Sequence, residues 1–134
     1  TNGQMKWKSQ QAAEKWFWAS PVAYNNAVYA ASLDGKVYIF DANSGEKIDI
    51  IDLGSPISSS PVVVDDKVIV ATEEGKIYSI GTASYQVEQL TNLEEKIYAP
   101  LFASDGVVYI HSQEGILYEM DGQTGANRQL YQIN

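Results

Sequence analysis

In 134 residues the chain sets 17 Asp and Glu against 9 Lys and Arg, so its net charge of −8 repels a phosphate backbone, and no Lys/Arg cluster offers a local exception. Cysteine is absent, which removes disulfides, thiolate metal sites and cysteine nucleophiles together. The composition, 45% hydrophobic and 19% charged, is that of a globular domain, yet no apolar run nears the ~20 residues of a membrane span.

The opening TNGQMKWKSQ carries neither an initiator methionine nor an apolar signal core, and reads as part of a piece excised from something larger. Within it, Asn2-Gly3-Gln4-Met5-Lys6-Trp7 has the form of a turn followed by an outer strand, an orphan whose own unit is missing. Gln10–Lys15 reads as a polar linker. The aromatic run Trp16-Phe17-Trp18 comes next and leads into the first complete unit. Tryptophan serves both cores and binding hot spots, so Trp16, Phe17 and Trp18 are the candidate interface.

From here the chain repeats itself. SPVAYNNAVYAASLDGKVYIFDANSG starts at Ser20, SPVVVDDKVIVATEEGKIYSIG at Ser60 and APLFASDGVVYIHSQEGILYEMDGQTG at Ala99. Gly35, Gly75 and Gly115 lie forty residues apart, as do Tyr38, Tyr78 and Tyr118, while Pro21, Pro61 and Pro100 follow at forty and thirty-nine. Period-two alternation, as in Val37-Tyr38-Ile39-Phe40, predicts half-buried strands. Asn25-Asn26, Asp65-Asp66 and Asp105-Gly106 are placed to join first strands to second, and Asp34-Gly35, Glu74-Gly75 and Glu114-Gly115 to join second to third. Asn43-Ser44-Gly45 and Gln123-Thr124-Gly125 join third to fourth, a signal that degenerates in the middle unit to Gly81-Thr82-Ala83-Ser84. Outer strands are expected near Glu46–Asp52, Gln86–Thr91 and Asn127–Ile133. The expectation is an all-β chain of β-propeller-type, four-stranded antiparallel blades: orphan strand and linker over 1–17, then repeats over 18–54, 55–93 and 94–134.

These residues resemble the PQQ-like (quinoprotein) β-propeller repeat. Its Ser-Pro-Val strand, Val-Tyr-hydrophobic-small-Ser strand, Asp-Gly-x-hydrophobic-Tyr-x-hydrophobic-Asp hairpin and following Gly turn fall at Ser20-Pro21-Val22, Val28–Ser32, Asp34–Asp41 and Ser44-Gly45. The family's docking tryptophan appears only at Trp7, with Asp49, Gln89 and Gln129 in its place in the three full units. The family includes quinoprotein dehydrogenases, an outer-membrane assembly scaffold lipoprotein and envelope sensor domains, and its closed rings usually have seven or eight blades. The resemblance therefore implies a periplasmic or extracellular setting. It also implies missing blades, an open array or self-association, for example a homodimer through open blade edges.

A quinone enzyme of this family places an aspartate base beside a Ca²⁺-bound quinone, with a vicinal disulfide that this chain cannot form. Asp34, Asp41 and Asp121 fall at turns, where carboxylates accept backbone N–H bonds. His111 is the only histidine and replaces Ala31 and Ala71 of the sister repeats, a candidate channel-facing residue. Acidic pairs such as Glu73-Glu74 lack the spacing of a Ca²⁺ loop, and the tyrosines read as cement within the blades. The expected function is non-catalytic, with no cofactor and no metal: a scaffold or recognition module of a larger bacterial envelope protein, working through a protein partner. The alternatives are a fragment of a PQQ-dependent dehydrogenase and a self-assembling structural repeat.

Overall fold

The computed structural model describes residues 20–132, with side chains through Leu130; the orphan strand at Trp7 and the linker lie outside that range. Among the described residues there are twelve strands and no helix. The first unit contains β1 (Val22–Tyr24), β2 (Ala27–Ala31), β3 (Lys36–Asp41) and β4 (Lys47–Asp52). The second contains β5 (Val62–Val64), β6 (Lys67–Ala71), β7 (Lys76–Gly81) and β8 (Val87–Asn92), and the third β9 (Phe102–Ser104), β10 (Val107–His111), β11 (Ile116–Asp121) and β12 (Asn127–Gln132). Each is a four-stranded antiparallel sheet in sequence order, from a short inner strand to an outer one.

All four strands recur at forty residues, which corrects one detail of the sequence reading. Because β1, β5 and β9 begin at Val22, Val62 and Phe102, the residue matching Pro61 is Leu101 rather than Pro100. The difference has a use, since Leu101 has an N–H and donates it to the Ser60 carbonyl at 3.1 Å, a bond proline cannot make.

Hairpin chemistry sets the register. Asn25 and Asn26 adopt φ of 50° and 67°, and Asp105 and Gly106 of 53° and 80°, the two left-handed residues that match the twist of tightly joined strands. The degenerate middle turn keeps its geometry by another route. Tyr85 stands where Gly45 and Gly125 stand and adopts φ of 60°, an uncommon conformation for a bulky side chain. Its ring packs 6.5 Å from that of Tyr29, centroid to centroid, so contact between units holds a turn that glycine makes in the sister repeats. Burial pushes the Tyr29 phenol up to about 12.

Apolar residues occupy both faces of the middle sheet, and the core therefore forms two layers between three sheets. Tyr29, Val37 and Ile39 of the first unit meet Val68, Val70 and Ile80 of the second. Ile69, Ala71 and Ile77, on the second unit's other face, meet Val108, Ile110, Tyr118 and Met120 of the third. The positions of the missing docking tryptophan, Asp49, Gln89 and Gln129, are exposed. Packing between units rests instead on these aliphatic layers and on Tyr85.

Candidate interaction surface

The chain's turns gather at two ends of the stack. At one end the β1–β2 and β3–β4 turns tie neighbouring units together. The Tyr24 hydroxyl donates to Asp66 Oδ1 at 2.6 Å, a bond that holds the phenol above its ordinary range. Gln123 donates Nε2 to Asp65 Oδ2 at 2.5 Å and accepts from Lys67 Nζ at 3.2 Å. Asp41 Oδ1 accepts the Asn43 and Ser44 amides, and Asp121 Oδ1 those of Gln123 and Thr124. Backbone donors lower both carboxyls below their usual range. The carboxylates here are engaged in turn and inter-unit bonds.

The other end differs. There the β2–β3 turns meet the segments that carry the chain from one unit to the next. The segment between β8 and β9 is anchored along its length: Leu93 donates to the Gly75 carbonyl at 2.9 Å, Ile97 to Glu73 at 3.3 Å, and Lys96 accepts from the Gln113 amide at 2.7 Å. Gly75, at φ of 98°, lets the segment lie close, because a Cβ there would sit 2.5 Å from the Glu95 carbonyl oxygen. Ile97 is fully buried, and its neighbour Tyr98 is therefore turned outward, 42% exposed.

Tyr98 is shared by two shallow depressions. One, of about 380 Å³, is lined by Leu33, Ser58, Glu73 and Tyr98 and spans the first two units. The other, of about 400 Å³, is lined by Tyr98, Ala99, His111, Ser112, Gln113 and Gly115 on the third. An aromatic ring flanked by a carboxylate, a carboxamide, an imidazole and hydroxyls suits a polar chain that inserts apolar side chains. Among the described residues no three His, Cys, Asp or Glu side chains are grouped to hold a metal ion. Nor is there a helix long and apolar enough to cross a membrane.

His111 ends β10 and is exposed at the edge of the second depression. Trp16, Phe17 and Trp18 lie outside the described residues. Their counterparts forty and eighty residues on are Pro56-Ile57-Ser58 and Lys96-Ile97-Tyr98; Ile57 and Ile97 are fully buried, and Tyr98 is not. Sequence reasoning placed Tyr98 with the cement tyrosines, and the structure corrects that. Tyr29, Tyr38 and Tyr118 are buried on strands, whereas Tyr98 lies on a connector. The available signal was its register: Tyr98 shares its repeat position with Trp18 and Ser58, and both Ser58 and Tyr98 fall between strands.

A family profile described as outer membrane protein assembly factor BamB matches residues 1–131. No curated protein matches the chain. Similar solved structures include BamB from Moraxella catarrhalis, at 17% identity and a TM-score of 0.74, covering 88% of this chain and 36% of that one. The N-terminal domain of Nup159 is similar at 17% identity and a TM-score of 0.66, covering 88% and 35% respectively. The computationally designed Ika4 protein reaches a TM-score of 0.77 at 19% identity, covering 94% of this chain and 77% of its own. At these identities the likeness is one of fold: three blades of a propeller. The chain spans about a third of the length of the BamB and Nup159 chains.

Proposed function

The chain belongs to the PQQ-like β-propeller repeat family that includes BamB, and from that premise we propose that it is a non-catalytic recognition module of a bacterial envelope protein, exposed to the periplasm. It works by display. Stacked sheets hold the connector rim at fixed spacing, and a protein partner lays a segment across the two depressions that share Tyr98. The observation that carries this reading is the exposed Tyr98 ring on a connector whose backbone is hydrogen-bonded on both sides. Aromatic side chains presented on a rigid base are the usual anchors of protein recognition. Glu73 beside the ring and the chain's charge of −8 favour a neutral or basic segment over an acidic one.

Site-specific photo-crosslinking in the native host tests this. A benzophenone side chain at position 98 is expected to give one discrete adduct, and the same group at the outer-strand position 89 none. No adduct at 98, or equal labelling at both positions, would contradict the assignment.

A further inference from the structure

The first of the two depressions is built from two repeat positions, each used twice. Leu33 and Glu73 lie forty residues apart on the β2–β3 and β6–β7 turns, and Ser58 and Tyr98 forty residues apart on the two connectors. In each pair one member is apolar or small, and the other carries a functional group. Leu33 contributes apolar surface and Ser58 leaves room, while Glu73 brings a carboxylate and Tyr98 an aromatic ring. At the turn position of Leu33 and Glu73 the third unit has Gln113. Tyr98 therefore shares one depression with a carboxylate and the other with a neutral carboxamide.

Glu73 is fixed from both sides. Its amide donates to the Pro56 carbonyl at 2.8 Å, and its carbonyl accepts from the Ile97 amide at 3.3 Å. Its backbone thus bridges the connector that carries Ser58 and the one that carries Tyr98. The residue is half-buried, and its carboxylate has no cationic partner: among the described residues the one ion pair joins Arg128 and Glu119 on the third sheet. Asp34, the acidic residue beside Leu33, differs, since it accepts from the Tyr38 hydroxyl at 2.6 Å and from the Lys36 amide at 3.0 Å. A half-buried carboxylate has lost part of its hydration, and a charged donor replaces it best.

We infer that this depression seats one arginine side chain of the partner segment, an inference that rests on the recognition role proposed for Tyr98. A guanidinium is flat and always charged, and it can lie on the phenol ring while its N–H fork meets the carboxylate. Its aliphatic stem packs on Leu33. Lysine brings a point charge that suits the carboxylate but has no plane to lay on the ring. An anionic group would meet Glu73 on a chain of net −8, and a single carboxylate is too few ligands for a metal ion.

The test is an NMR titration of the full isotope-labelled chain with N-acetyl-arginine amide, against its lysine and citrulline analogues. Citrulline keeps the shape of arginine and loses the charge. Saturable shifts of the Tyr98 ring, Leu33 methyl and Glu73 side-chain signals are expected with arginine at ~1–30 mM, the range of one partly exposed contact. Lysine should bind at least about threefold more weakly, and citrulline should not saturate. Glu73 is held through its backbone, so Glu73→Gln should keep the amide spectrum of the fold and weaken arginine binding at least about fivefold. Glu74→Gln removes the same charge from the exposed neighbouring position and should leave binding nearly unchanged. No saturable shift, equal affinity for lysine or citrulline, or undiminished binding by Glu73→Gln would overturn the inference. Crosslinking at position 98 separates this from the recognition role. An adduct whose yield is the same in Glu73→Gln would keep the docking rim and remove its arginine; no adduct in either background would remove the rim itself.

Discussion

The repeat lets each side chain be compared with two others in nearly the same backbone. Asp41 and Asp121 cap the amides of the β3–β4 turns, and both titrate below the ordinary carboxylate value of 3.8 because those N–H groups favour the ionised form. At the equivalent position the middle unit has Gly81, where an added Cβ would meet only Ser84 Oγ at 3.6 Å and the Gln86 carbonyl at 3.9 Å. Gly81→Asp therefore supplies the missing cap without a clash. We expect the thermal midpoint near neutral pH to rise by about 2–4 °C. A carboxyl whose folded value is depressed stabilises fully above its unfolded value, and that contribution disappears as pH falls through the folded one. The gain should accordingly be lost as pH falls through that depressed value, which paired melts at neutral and acid pH will show. A gain that survives acid would assign it to loss of glycine flexibility instead. The turn was readable as degenerate from Gly81-Thr82-Ala83-Ser84, but Tyr85 at positive φ was not. That conformation depends on a contact with Tyr29, 56 residues away in sequence.

At the scale of the strand and its turns, alternation and glycine spacing were sufficient to place all twelve strands in their sheets, because each sheet is closed by local hairpins. What local pattern did not disclose is how the outer strands end the sheet. Each carries a register shift, at Ile39/Phe40, Ile77/Tyr78 and Leu117/Tyr118. The shift passes over Ile48 in the first unit and Leu130 in the third, leaving them 44% and 41% exposed. A bulge of this kind twists an edge strand and makes it a poor template for another chain. Neighbouring elements also meet tightly at Gly125, where a Cβ would overlap the Leu90 carbonyl of the preceding outer strand. Gly106 has a similar φ, 80° against 82°, but no atom within 4 Å of such a Cβ. Gly106→Ala should cost about 1 kcal/mol from the backbone alone. Gly125→Ala should cost at least ~2 kcal/mol more, since the third unit must shift from the second. Urea unfolding of the two variants separates the terms; equal losses would mean that the approach between units is readily relaxed.

For the molecule as a whole, the three sheets share two core layers and have unlike ends. The tied turns lie at one rim and the Tyr98 depressions at the other. The fold was legible because the forty-residue period is written into every strand. The candidate surface was only half legible. Trp16, Phe17 and Trp18 lie outside the described residues, and which of the equivalent connector positions faces outward depends on burial of Ile57 and Ile97, which no pattern in the connectors reveals. Recognition by display requires that rim to be rigid, held by the same stack that holds the strands. Amide hydrogen exchange across the chain, as a function of denaturant, tests this most directly. The prediction is that the Ile97 and Gln113 amides, which bond across the connector, exchange by the same opening as the strands β6, β7, β10 and β11. Exchange of these two amides at the rate of an unstructured loop, or opening of the third unit well before the first two, would contradict a rigid display surface.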